Sequence, residues 1–160
     1  MRYLSKTPSS KSKEIKIVTR HVITLSDVEK DPRKIKLLYI ISEFGGISEK
    51  ALQYLLYEMK QAGYELGYNF TVVGRVPTSK ELFNDLLALK YTGLVETNPV
   101  RKLVLSSLGK EVLDKETQSI SDEERNTIKK LIEELRVKVK PIDVEVEMTF
   151  KRTRSRRRMF

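Results

Sequence analysis

Six bases and no acid crowd the last ten residues of the chain: Lys151, Arg152, Arg154, Arg156, Arg157 and Arg158. Five of the six are arginine, whose planar guanidinium matches a pair of phosphate oxygens. A cluster of this kind binds polyanions, nucleic acid first and a membrane surface second. Neutralising about six duplex phosphates would give a log–log salt slope of about −5. A smaller set flanks Asn98-Pro99, where Arg101 and Lys102 are placed to meet phosphates or a minor groove. Arg75, Ser79, Lys80 and Asn84 sit just before or within a predicted helix and have side chains suited to phosphate or base contact.

The residue types that catalysis requires are scarce. There is no cysteine, which excludes disulfides, thiolate chemistry and cysteine-ligated metals. His21 is the only histidine, so a multi-histidine metal site is excluded too. It lies on a predicted strand and reads as structural. The glutamates at 133 and 134 stand four residues from Lys129 and Lys130, the spacing of helix charge pairs and not of a carboxylate dyad. Gly45-Gly46 is followed by no GK[ST] and reads as a turn. With no nucleophile beside a base, the expectation is a non-enzyme without cofactor or metal. No apolar run approaches the roughly 20 residues of a membrane span, and the basic segment Met1–Ser12 has no apolar stretch behind it. A soluble cytoplasmic protein is expected, nucleoid-associated if it binds DNA.

Charge placement supports a polyanion partner. The chain has 31 bases against 22 acids, for a net +9. Residues 1–20 hold six bases and one acid, and residues 21–150 are close to neutral. The ends are basic; the middle is not.

The elements that must position these groups follow from local signals. Residues 1–13 are Ser/Lys-rich and expected to be disordered. Glu14 to Leu25 alternates as a strand, with Lys16 and Arg20 on its polar face. Asp31-Pro32 starts a helix to about Phe44, and Ser48 caps the next, which ends near Gly63. An aromatic connection follows, with a short strand near Phe70–Val73. Its tyrosines, with Tyr54 and Tyr57, suit the rim of a core better than base stacking. Thr78-Ser79-Lys80-Glu81 reads as a capping box for a helix ending at Gly93. Its wheel places Leu82, Phe83, Leu86, Leu87 and Leu89 inside and Lys80, Glu81, Asn84, Asp85, Ala88 and Tyr91 outside. Leu94–Thr97 and Arg101–Leu105 form a hairpin, then a helix runs from Ser106 or Ser107 to about Lys115. Ser121–Glu124 caps a further helix to about Val137, with Ile128, Leu131 and Leu135 on a stripe for its own domain or a second copy. Pro141 is expected to end it. Ile142, Val144, Val146, Met148 and Phe150 then alternate with polar residues, which predicts a strand. This strand and the one at 14–25 are expected to pair, within one chain or across a dimer, and to bring the two basic ends together.

The order helix, helix, connection, helix, hairpin, helix is that of a winged helix-turn-helix. Leu86-Leu87-Ala88-Leu89-Lys90-Tyr91-Thr92-Gly93-Leu94-Val95-Glu96, with Leu103-Val104-Leu105-Ser106-Ser107-Leu108-Gly109-Lys110, resembles the wing signature of MarR- and PadR-type proteins. The aromatic connection and Gly74, Pro77, Ser79, Glu81, Leu82, Asp85 and Leu86 are similar to the Panacea (SocA antitoxin-like) family, although Arg75-Val76 separates the glycine from the proline. The first resemblance implies a DNA-binding domain, commonly dimerised through a flanking helix; the second implies a protein-binding module.

The expected fold is α+β and mainly helical, a winged helix-turn-helix with amphipathic terminal strands and a basic tail. Its parts are 1–13, a strand extension at 14–29, the winged-helix domain at 30–117, a helix and strand at 118–150, and the tail at 151–160. The expected function is DNA binding, as a transcriptional regulator or a chromatin-type protein. The expected partners are double-stranded DNA and a second copy of the chain. RNA, the ribosome or a protein partner are the alternatives.

Overall fold

The computed structural model describes residues 23–159. They form a mainly helical α+β fold with two small antiparallel sheets. The helices are α1 (Leu25–Glu29), α2 (Pro32–Phe44), α3 (Glu49–Gln61), α4 (Lys80–Tyr91), α5 (Ser107–Glu116) and α6 (Asp122–Met159). Strands β1 (Thr71–Val73) and β2 (Val76–Thr78) join α3 to α4, and β3 (Val95–Thr97) and β4 (Leu103–Leu105) join α4 to α5. None of the helices described is both long and apolar enough to cross a membrane.

Local chemistry starts and stops these helices. Asp31 accepts from the Arg33 amide with Pro32 in the first turn of α2, and Gly45 closes that helix at φ 83°. Ser48, Ser79 and Ser106 cap α3, α4 and α5 through their hydroxyls. The cap of α4 is therefore Ser79 and not Thr78. Glu81 does not close the expected box but accepts from the Asn69 amide at 2.9 Å. Ser121 accepts from the Glu124 amide at the start of α6.

One core joins α2, α3, α4 and the first part of α6. Ile35, Leu38, Leu52, Leu55, Leu82 and Leu89 are fully buried in it. Ile47 pairs with Leu103 as an isolated bridge, which ties the start of α3 to the β3–β4 hairpin. Beneath α4, buried Asp85 accepts from Arg33 at 2.8 and 3.3 Å and from the Tyr68 hydroxyl at 2.7 Å. Asp85 and Ala88 thus face inward and Phe83 and Leu87 outward, opposite to where the sequence wheel placed these four, while Leu82, Leu86 and Leu89 are buried and Lys80, Asn84 and Tyr91 exposed as it placed them. The carboxylate has cationic partners only because the fold brings α2 under α4.

The largest correction concerns the C-terminal third. Residues 142–150 are not a strand; α6 runs through Pro141 without a break and continues to Met159. Alternation is compatible with a helix apolar on two sides. Ile142, Val146 and Phe150 fall on one side, and Val144 and Met148, two residues out of step, on the other. The proline removes one helical hydrogen bond, but tertiary contacts hold the helix across it. Val139 is fully buried, and buried Asp143 accepts from the Ser48 amide at 2.6 Å and from Lys102 at 3.1 Å. The expected pairing of two terminal strands therefore fails. Positions 14–22 of the N-terminal strand, like the 1–13 segment, lie outside the described residues, and Thr24 already caps α1. The Ile128/Leu131/Leu135 stripe packs on its own domain, with Ile128, Ile132 and Leu135 buried.

Candidate nucleic-acid interface

Because α6 is helical past Pro141, its spacing places Val146, Phe150, Thr153, Arg154 and Arg157 on one side. That side faces the tip of the β3–β4 hairpin and the first turn of α3. Together they enclose an open groove of about 480 Å³, with Lys50 and Arg101 on its other wall. A second hollow of about 550 Å³ continues past Lys50 and Arg101 toward Lys90 and Asn98.

The hairpin tip is built to hold Arg101 in place. The Asn98 side chain accepts from the amides of Val100 and Lys102 at 3.1 and 2.9 Å, closing the turn. Arg101 occupies the left-handed region at φ 65°, a conformation few side chains adopt. Its guanidinium lies 4.7 Å from the centre of the Phe150 ring, a cation–π contact that orients it while leaving its N–H donors at the groove.

The groove is cationic. Lys50, Arg101, Arg154 and Arg157 line it against one acid, Glu145, which meets Lys50 at 3.4 Å. Among the described residues no acid lies within ion-pair distance of Arg101, Arg154 or Arg157. Among the described residues nothing competes for their donors, which face the groove.

The other sequence-predicted residues divide. Lys102 is occupied: Asp143 holds it at 3.1 Å and Glu147 at 3.6 Å. Burial alone would lower its pKa, but those two carboxylates outweigh it and hold the ammonium above its ordinary value. Lys102 fastens the hairpin to α6 and has little charge to offer a phosphate. Lys151 pairs with Glu147 at 3.5 Å. Arg152 and Arg156 are exposed on the same helical segment; Arg158 lies in the helix, with its side chain outside the described set. Ser79 is buried and spent as a cap. Lys80 and Asn84 are exposed on α4, and Arg75 is exposed at the β1–β2 turn, where its carbonyl accepts from Tyr54. The structure does not bring these last three to the groove.

Sequence reasoning missed Lys50, Phe150 and Asp143. Helical spacing through residue 157 would have grouped Phe150 with Arg154 and Arg157. Lys50 and Asp143 carried no local signal. The exposed face of α4 was also misjudged. Phe83 and Leu87, expected inside, are about half exposed and Tyr91 more so, at spacings of four residues, so this face carries an apolar stripe beside Lys80 and Asn84.

Comparison with family models, with characterised proteins and with solved structures finds no match.

Proposed function

We propose that this chain is a winged-helix nucleic-acid-binding protein that grips duplex DNA by its phosphates, with no catalytic step of its own. The supporting observation is the convergence of Arg101, Arg154, Arg157 and Lys50 on one groove, continuous with the exposed arginines of the C-terminal end of α6. In this reading β3–β4 is the wing and α4 occupies the position of a recognition helix. The wing and α6 carry the affinity, and α4 contributes Lys80 and Asn84 at most. Phosphate contacts of this kind position a protein on DNA but read no sequence, so the reading is a general DNA binder or a regulator of modest selectivity.

The test is a fluorescence-anisotropy titration of duplex DNA, single-stranded DNA and duplex RNA with the full chain. Tighter binding to duplex DNA, lost on replacing Arg101, Arg154 and Arg157 with alanine, supports the reading. Equal binding by that variant, or a preference for RNA, contradicts it.

One observation favours a second reading. The Phe83/Leu87/Tyr91 face of α4 suits a protein partner better than a DNA groove, as the Panacea resemblance implies. A protein captured by the full chain and lost on Leu87→Lys would support it.

A further inference from the structure

Helix α6 is apolar on two opposite sides, and its own domain covers only one of them. Val139, Ile142, Val146 and Phe150 turn toward the body. Val137, Pro141, Val144 and Met148 turn away. Their spacing of four, three and four residues is that of a coiled-coil seam. They are open to solvent, with Val137 80% exposed, Val144 41% and Met148 56%. A shallow concavity of about 620 Å³ runs along Val137, Pro141 and Val144.

We propose that a second copy of this chain covers this face, the two α6 helices packing antiparallel about a point between Ile142 and Asp143. The charges flanking the seam select this occupant and orientation. In an antiparallel pair each seam residue faces the one as far beyond the centre as it lies before it, and each flanking residue meets its counterpart on the same flank, about two positions from that mirror point. Val137 then meets the partner's Met148, and Pro141 the partner's Val144. At the ends of the seam Glu134 meets the partner's Lys151. Along the two flanks Lys138 faces the partner's Glu145, and Lys140 the partner's Glu147. Every one of these charged meetings joins opposite signs. Lys140 has no ion-pair partner among the described residues. Lys138 and Glu145 have only long ones of their own, to Glu58 at 3.7 Å and Lys50 at 3.4 Å, and the contacts of Glu147 with Lys151 at 3.5 Å and Lys102 at 3.6 Å are long as well, so the partner's charges add to them. A parallel pair would instead set Glu134 against Glu134 and lay the two arginine-rich ends side by side, which like-charge repulsion opposes.

The dimer has a consequence that rests on the nucleic-acid reading. From the seam centre to Arg154 is about 17 Å at the rise of an α-helix. The two basic ends would stand about 35 Å apart, close to one turn of duplex DNA.

The experiment is the mass of the full chain in solution without nucleic acid, by sedimentation equilibrium at micromolar concentration. The expected mass is about twice 18.6 kDa. It falls to the single-chain value in Val137→Glu/Val144→Glu, which changes exposed positions and should keep its helical circular dichroism. A single-chain mass for the native protein overturns the proposal, as does a dimer that survives the double substitution with its helices intact. Orientation is read by cross-linking, since the chain has no cysteine of its own. Val137→Cys and Met148→Cys, mixed and oxidised, should cross-link to each other and not to themselves; self-cross-linking of Val137→Cys alone overturns the antiparallel arrangement. Because no DNA is present, failure here leaves the DNA reading standing. Failure of DNA binding likewise leaves the dimer standing.

Discussion

Asp143 joins three parts of the molecule, and Asp143→Ala should therefore cost more than a single side-chain deletion on a helix surface. Its carboxylate is buried and receives the Ser48 amide at 2.6 Å and the Lys102 ammonium at 3.1 Å. A hydrogen bond to a charged group contributes about 1.5–3 kcal/mol, and the amide at the start of α3 would be left buried without a partner. Lys102 is partly exposed and keeps Glu147 at 3.6 Å, so its loss adds about 1 kcal/mol at most. Together the substitution should remove about 3 kcal/mol. For a chain of this size that lowers Tm by about 6–12 °C. Asp143→Asn keeps an acceptor for the Ser48 amide and loses the ion pair, so its Tm should fall between the two. Differential scanning calorimetry reads the Tm. Hydrogen exchange across residues 140–150 reads whether the helix loosens over the hairpin. A fall of less than about 2 °C with unchanged exchange would refute the claim that Asp143 holds α6 over the proline.

Three further predictions follow from contacts elsewhere. A Cβ at Gly109 would sit 2.1 Å from the Leu94 carbonyl oxygen, so Gly109→Ala should destabilise by about 1–3 kcal/mol or more in a urea melt; a neutral result would mean that α5 does not cross the hairpin this closely. Burial alone would raise the Glu124 pKa, but Lys36 at 2.9 Å and the Tyr64 hydroxyl at 2.8 Å outweigh it and hold it below the usual carboxylate range. Its stabilisation is then present above the unfolded value of about 4.3 and lost as pH falls through the folded one. The stability gap between the native chain and Glu124→Gln should therefore close on acidification, and a gap constant from neutral to acid pH would contradict this. Phe83→Ser and Leu87→Lys change the exposed face of α4 and should move stability by no more than about 0.5 kcal/mol; a large loss would show that this face is covered in the isolated protein.

Signals that act within a few residues were legible in the sequence. The caps at Asp31, Ser48, Ser106 and Ser121, the left-handed closures at Gly45 and Gly93 and the hairpin around Asn98 are decided by local hydrogen bonding, and they stand where local chemistry puts them. The basic C-terminal cluster was legible for the same reason. What failed depended on distant contacts. Asp85 is inside because Arg33 and Tyr68 reach it from elsewhere in the chain. Pro141 and the alternation after it read as a break and a strand, because a strand and a helix apolar on both sides share a two-residue pattern over nine positions. Only the docking of Val139 and Asp143 on the body decides between them. That misreading also hid the groove, since it separated Phe150 from Arg154 and Arg157 and gave no reason to bring Lys50 to them.

The measurement that tests the central claim most directly is the salt dependence of duplex DNA binding by the full chain and by Arg101→Ala/Arg154→Ala/Arg157→Ala. Each lost phosphate contact should flatten the log–log slope by about 0.9. Affinity should fall on every sequence tested, and the slope should become shallower by about two to three units. A slope and affinity equal to those of the native chain would place the DNA contacts outside the groove and contradict the account.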